Sequence, residues 1–219
     1  RPRLELPLAD ADRSEIGRLW PFNRVRPNGY VCIHPGAQLR SRRWPVDRFA
    51  AVADGLAADG FTIVLTGTAG EAALGEQLRS SMKAPAVDFI GHTNLWTLAA
   101  LIENARLLVC NDTGVSHIAA ALGTPSVVVS MGSDVARWAP MDARRHRVLW
   151  HDLPCRPCAH ESCPSAHECA LAIHPQKVLS EARQHLSEQG EPEWIPPLPP
   201  QANACASSPG MCTATISTT

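Results

Sequence analysis

Asn111-Asp112-Thr113-Gly114-Val115-Ser116-His117 brings a carboxylate, two hydroxyls, a glycine and an imidazole into one short stretch. Apolar Leu107-Leu108-Val109-Cys110 precedes it and a helical pattern over Val115–Leu122 follows, so it passes from a strand end into a helix N-terminus. Unpaired N–H groups and the helix macrodipole favour an anion there. Gly114 lets that backbone approach a phosphate closely, and Thr113 adds a hydroxyl donor. His117 lies one turn in and can face the same mouth. Asp112 would repel a phosphate, so its expected role is to accept from hydroxyls or N–H groups. The plainer alternative makes Asp112 or Thr113 a simple N-cap and His117 a solvated side chain. A second basic element, Ser41-Arg42-Arg43-Trp44-Pro45, offers an arginine suited to a bidentate phosphate contact. Its alternative is a solvated loop with Trp44 packed beneath it.

These residues need a frame. Tyr30–His34, Thr62–Thr66, Val87–Ile90, Leu107–Cys110 and Ser126–Ser130 read as strands. Helices are predicted over Val46–Asp59, Glu71–Ser81, Leu95–Glu103, Val115–Leu122 and Pro175–Glu188, stopped by signals such as Gly60, Gly123 and Pro125. Strands alternating with helices at short spacing imply an α/β fold of βαβ units, a doubly wound parallel sheet of Rossmann type. The strands are near-continuously apolar, as strands covered on both faces are. Ligands bind such sheets beyond the carboxyl ends of the strands. Those ends carry His34-Pro35-Gly36, Thr66-Gly67-Thr68, Asn111 to Gly114, and Ser130-Met131-Gly132-Ser133.

The chain has 219 residues and a net charge of −1, which fits one globular domain with extensions and excludes a strongly basic nucleic-acid surface. No apolar run is long enough to span a bilayer. There is no GxxxxGK[ST] loop, no GxGxxG fingerprint and no GxSxG elbow, which disfavours P-loop enzymes, standard dinucleotide enzymes and elbow hydrolases. Residues 1–29 lack a sustained period and read as a linker from a preceding domain. Residues 30–189 read as one Rossmann-like, ligand-binding domain. Residues 190–219, rich in Pro and then Ser/Thr, are expected to be disordered.

Cys32 and Cys110 sit in apolar strands, where each acts as a small buried hydrophobe. Cys155, Cys158, Cys163 and Cys169 crowd one loop, 155–169, with His160 and His167 between them. A structural zinc site, local disulfides and plain reduced cysteines all stay open on this spacing. The few cysteines for this length favour a reduced, cytoplasmic setting.

The series His34-Pro35-Gly36-Ala37, Arg42-Arg43-Trp44-Pro45, Gly67 to Glu71, and Asp112-Thr113-Gly114-Val115-Ser116-His117 running on to Pro125 resembles family-nine glycosyltransferases, the ADP-heptose:lipopolysaccharide heptosyltransferases. Ala136-Arg137-Trp138-Ala139-Pro140 and the Cys-x2-Cys-x4-Cys-x5-Cys segment look like the second heptosyltransferase branch. The resemblance covers about residues 28–188. It implies the C-terminal, donor-binding half of a GT-B enzyme, an ADP-heptose donor, a lipopolysaccharide-core acceptor, and inverting transfer that requires no cofactor. It implies donor contacts from Arg42, Glu71, Thr93, Asp112, Thr113, Gly114 and His117. Arg42 stands where the family places a lysine, and Thr93 where it places a methionine. The general base is implied to lie in the other domain, so no catalytic residue is expected here, and the chain alone should bind nucleotide weakly and transfer nothing. The acceptor class implies a place at the inner membrane surface. Two other readings compete: a different GT-B nucleotide-sugar enzyme such as an epimerase, and a non-catalytic binding module.

Overall fold

The computed structural model describes residues 4–19 and 25–190. Its elements run α1 (Asp10–Ile16), β1 (Tyr30–His34), α2 (Val46–Ala58), β2 (Thr62–Leu65), α3 (Ala72–Ser81), β3 (Ala86–Asp88), α4 (Leu95–Glu103) and β4 (Leu107–Asn111). They continue with α5 (Gly114–Leu122), β5 (Ser126–Ser130), α6 (Val135–Trp138), β6 (His146–Trp150), α7 (Glu168–Leu171) and α8 (Pro175–Glu188). The six strands form one sheet in the order β3-β2-β1-β4-β5-β6, every pairing parallel. The chain reverses its direction of travel across the sheet between β1 and β4, which makes their carboxyl ends the crevice of a doubly wound fold.

Alternation along each strand sorts one apolar run into two cores. Val31, Ile33, Leu107, Val109, Val127 and Val129 pack with Phe49 and Leu56 of α2, Leu78 of α3 and Val178 and Ala182 of α8. Tyr30, Cys32, Leu108, Cys110 and Val128 pack on the other face with Ile16 of α1, Leu101 of α4 and Ala119 of α5. Cys32 and Cys110 are fully buried in that second layer, and burial pushes both thiols far up, as expected for apolar filler.

Five strands and five helices stand close to their expected places. Residues 10–16, within the stretch read as a periodless linker, instead form α1, whose Ile16 is buried against α4. A sixth strand follows the fifth, and short α6 and α7 were not expected either. β6 opens on His146-Arg147 and has only Val148-Leu149-Trp150 as an apolar run, with residues 147–149 partly covered and Trp150 exposed at this sheet edge. The tail beyond residue 190, expected to be disordered, lies outside the described residues.

Candidate functional site at the β1/β4 crevice

Asn111, the last residue of β4, is fully buried and joins both ends of the β1 loop. Its Nδ2 donates to the carbonyl of Pro35 at 2.7 Å, and its Oδ1 accepts from the Trp44 N–H at 3.0 Å. The loop that carries Arg42 and Arg43 is thereby tied to the strand that delivers Asp112. Trp44 packs edge-on against Phe49, and its indole N–H donates to the carbonyls of Ala170 and Ile173. This is the packing role considered for it.

Thr113 caps α5 in extended conformation. Its hydroxyl accepts from the Val115 N–H at 3.4 Å, while the Ser116 N–H and hydroxyl both donate to the Thr113 carbonyl. The simple capping reading therefore holds for Thr113, and it leaves the neighbouring Gly114 exposed with open space where a side chain would stand. His117 follows on α5, half-buried, its ring 6.3 Å from that of Trp138. Trp138 is exposed over about half of its surface and carries the Arg137 guanidinium over its indole.

Asp112 accepts from the hydroxyl of Ser133, which is 2.8 Å from the hydroxyl of Ser130. Neither serine was singled out individually from the sequence, although both belong to the polar end of β5. Beyond them stands Arg156 from the Cys-rich loop, which nothing in the residue spacing marked.

On the other side of β1, Glu71 caps its own turn. Its carboxylate accepts from the N–H and the hydroxyl of Thr68 at 2.8 and 2.9 Å and rests against Gly36. His34 is buried beside Thr66, with Nδ1 3.1 Å from its hydroxyl; burial pushes its imidazole down against the opposing pull of Glu71. The loop after β3 leans over this region, with the Gly91 N–H donating to the Gly67 carbonyl. Thr93 follows in that loop, half-buried, just before the Asn94 cap of α4. Glu71, lying against Gly36, and Asp112, following the end of β4, thus stand on either side of the carboxyl end of β1.

Arg42 is held in part by the protein itself. One guanidinium nitrogen donates to the Cys158 carbonyl at 3.0 Å, so the residue is partly engaged by the Cys-rich loop, while its buried Nε has no partner. That loop also meets the β1 loop through the Ser41 N–H on the Glu161 carbonyl, the Ser41 hydroxyl on the His160 carbonyl, and His167 on the Ser41 carbonyl. Cys155, Cys158, Cys163 and Cys169 are all free. Among the described residues no three His, Cys, Asp or Glu side chains are grouped so as to hold a metal ion.

The sequence model of glycosyltransferase family 9 (heptosyltransferase) matches residues 4–168. Lipopolysaccharide heptosyltransferase 2 of Salmonella typhimurium is 28% identical over 196 residues, covering 85% of this chain and 54% of that protein. Lipooligosaccharide heptosyltransferase 2 of Haemophilus ducreyi is 34% identical over 162 residues, covering 70% and 46%. The solved structure of E. coli ADP-heptose lps heptosyltransferase II superposes with a TM-score of 0.70 at 24% identity, again over 85% of this chain and 54% of the other, so the fold is shared. The chain spans about half the length of the relatives it matches. With residues 4–168 matched, it belongs to glycosyltransferase family 9, the heptosyltransferases.

Proposed function

We propose that this chain is the donor-binding half of a heptosyltransferase that passes heptose from ADP-heptose to the lipopolysaccharide inner core. The observation that carries the reading is the meeting of the capped α5 N-terminus, Asp112 and the Asn111-tethered arginine loop at the one sheet edge where the winding reverses.

In this reading the diphosphate lies over Thr113 and Gly114, with Arg42 turned toward it. Glu71 accepts from the ribose hydroxyls, Thr93 borders the adenine, and Asp112 and His117 hold the heptose. Departure of ADP builds negative charge on its oxygens. Fixed N–H dipoles and a guanidinium stabilise that charge without solvent reorganisation, so the chemistry asks for no metal. The acceptor hydroxyl needs a base, which we assign to a second domain across the cleft: the base takes the hydroxyl proton while the acceptor oxygen attacks the anomeric carbon opposite the departing ADP, inverting it. No described helix is long and apolar enough to cross a membrane. We place the work in the cytoplasm, at the membrane surface where such an acceptor is built.

Calorimetry of the chain with ADP, UDP and GDP tests this, with weak binding that prefers ADP as the expected result. An equal response to all three would favour another nucleotide-sugar enzyme of this architecture. Turnover of donor and acceptor by the chain alone would overturn the placing of the base elsewhere.

A further inference from the structure

Arg156 lies between Cys155 and Pro157, and its guanidinium reaches back under the end of β5. Nη1 donates to the carbonyls of Ser130, Met131 and His151, and Nη2 donates to the Ser133 carbonyl at 2.7 Å and the Ser130 hydroxyl at 3.1 Å. The two serine hydroxyls are buried, 2.8 Å apart, and the second meets Asp112.

The direction of every proton in this chain follows from chemistry. A guanidinium has only donors, so the Ser130 oxygen accepts from Arg156. An ionised carboxylate has only acceptors, so the Ser133 hydroxyl donates to Asp112. The remaining bond can then run one way, with Ser130 donating to Ser133. Each link polarises the next in a low-dielectric setting.

We propose that Arg156 is a positioning residue for the donor sugar, acting on Asp112 through Ser130 and Ser133. This rests on the donor-site reading above and adds a role for the Cys-rich segment, whose arginine fixes one oxygen of Asp112 and leaves the other to a sugar hydroxyl. The same segment engages Arg42 through the Cys158 carbonyl and receives the Gly132 carbonyl on the Cys158 N–H at 2.7 Å, so it braces both banks of the crevice.

The test is calorimetric titration of ADP and of ADP-heptose into the chain, comparing wild type with S133A, R156A and the double variant. Wild type should bind the sugar nucleotide more tightly than ADP. S133A and R156A should each remove that margin, about tenfold for one charge-assisted hydrogen bond, while ADP affinity stays within about twofold. The double variant should lose no more than S133A alone, and R156K should regain part of the margin only where Ser133 is present. A general structural role predicts instead that ADP and ADP-heptose weaken together, or that the two losses add, and either result overturns the relay. An unchanged S133A overturns it too, and that variant removes one hydroxyl only, so it carries the test even if R156A fails to fold. Wild-type chain that binds neither ligand defeats the donor-site reading itself and the relay with it, a result distinct from normal wild-type binding with indifferent variants.

Discussion

The carboxylate of Glu71 occupies the space in which a side chain on Gly36 would begin: a Cβ built there would overlap Oε1. The contact joins the end of β1 to the turn before α3, and it explains a glycine where the chain has no need of a special turn. Gly36→Ala should push the Glu71 carboxylate off the crevice wall and lower ADP affinity about tenfold, the worth of about one hydrogen bond to a charged group. Calorimetry on G36A, E71A and the pair checks it. Non-additive losses are expected, and fully additive ones would show that Gly36 matters for another reason.

Asn111 should matter to stability before it matters to binding. Replacing it by alanine strips a partner from the buried Trp44 N–H and from the Pro35 carbonyl at once. A destabilisation of about 2–4 kcal/mol is expected from two orphaned backbone groups. Urea denaturation measures it, and a loss below about 0.5 kcal/mol would mean that water enters and satisfies both.

Arg42 is half engaged by the Cys158 carbonyl, and its Nε is buried without a partner. Arg42→Ala should weaken ADP binding about tenfold at low ionic strength and less in high salt, because the contact is between full charges. Arg42→Lys should keep most of the affinity while losing any bidentate geometry. Equal salt slopes for the alanine variant and wild type would remove Arg42 from the diphosphate.

His146 gives the protein an acid-side weakness. It is buried at the start of β6, with Nδ1 2.9 Å from the Ser126 hydroxyl. Burial pushes its imidazole from 6.5 down to about 4, with Arg145 and His185 pressing the same way and Asp142 opposing. Between those two values the unfolded chain takes up a proton that the folded chain refuses. Stability is therefore full above pH 6.5 and falls as the pH drops toward 4, by roughly 3 kcal/mol from this group. Urea midpoints at pH 7, 6 and 5 should fall more steeply for wild type than for His146→Asn. Parallel profiles would assign the acid sensitivity to the paired carboxylates instead.

Most of the sheet was legible because β1, β4 and β5 are buried on both faces and so spell unbroken apolar runs. β6 escaped because it opens on His146 and on Arg147, which is turned to Glu181 and Glu188 of α8, leaving only a three-residue apolar run at an edge. α1 escaped because Ile16 is its one buried residue, too few to set a period. At the site, Asp112 to His117 could be read from a strand-to-helix junction, since cap chemistry is local. Ser130 and Ser133 were visible only as a polar strand end, and Arg156 not at all. Its partners at the end of β5, Ser130, Met131 and Ser133, lie more than twenty residues away and are joined to it by a stretch without regular spacing.

Alternation in β4 has a price in permissible evolutionary change. Asn111 shares its parity with Leu107 and Val109, which face the α2 layer, and so its carboxamide is delivered onto the loop that ends at Trp44. Inserting or deleting a single amino acid in this strand would exchange the two layers and rotate that carboxamide to the opposite side. The segment can drift in composition, as swaps among similar apolar residues allow, but its length is locked, and natural variants should record substitutions there without gaps.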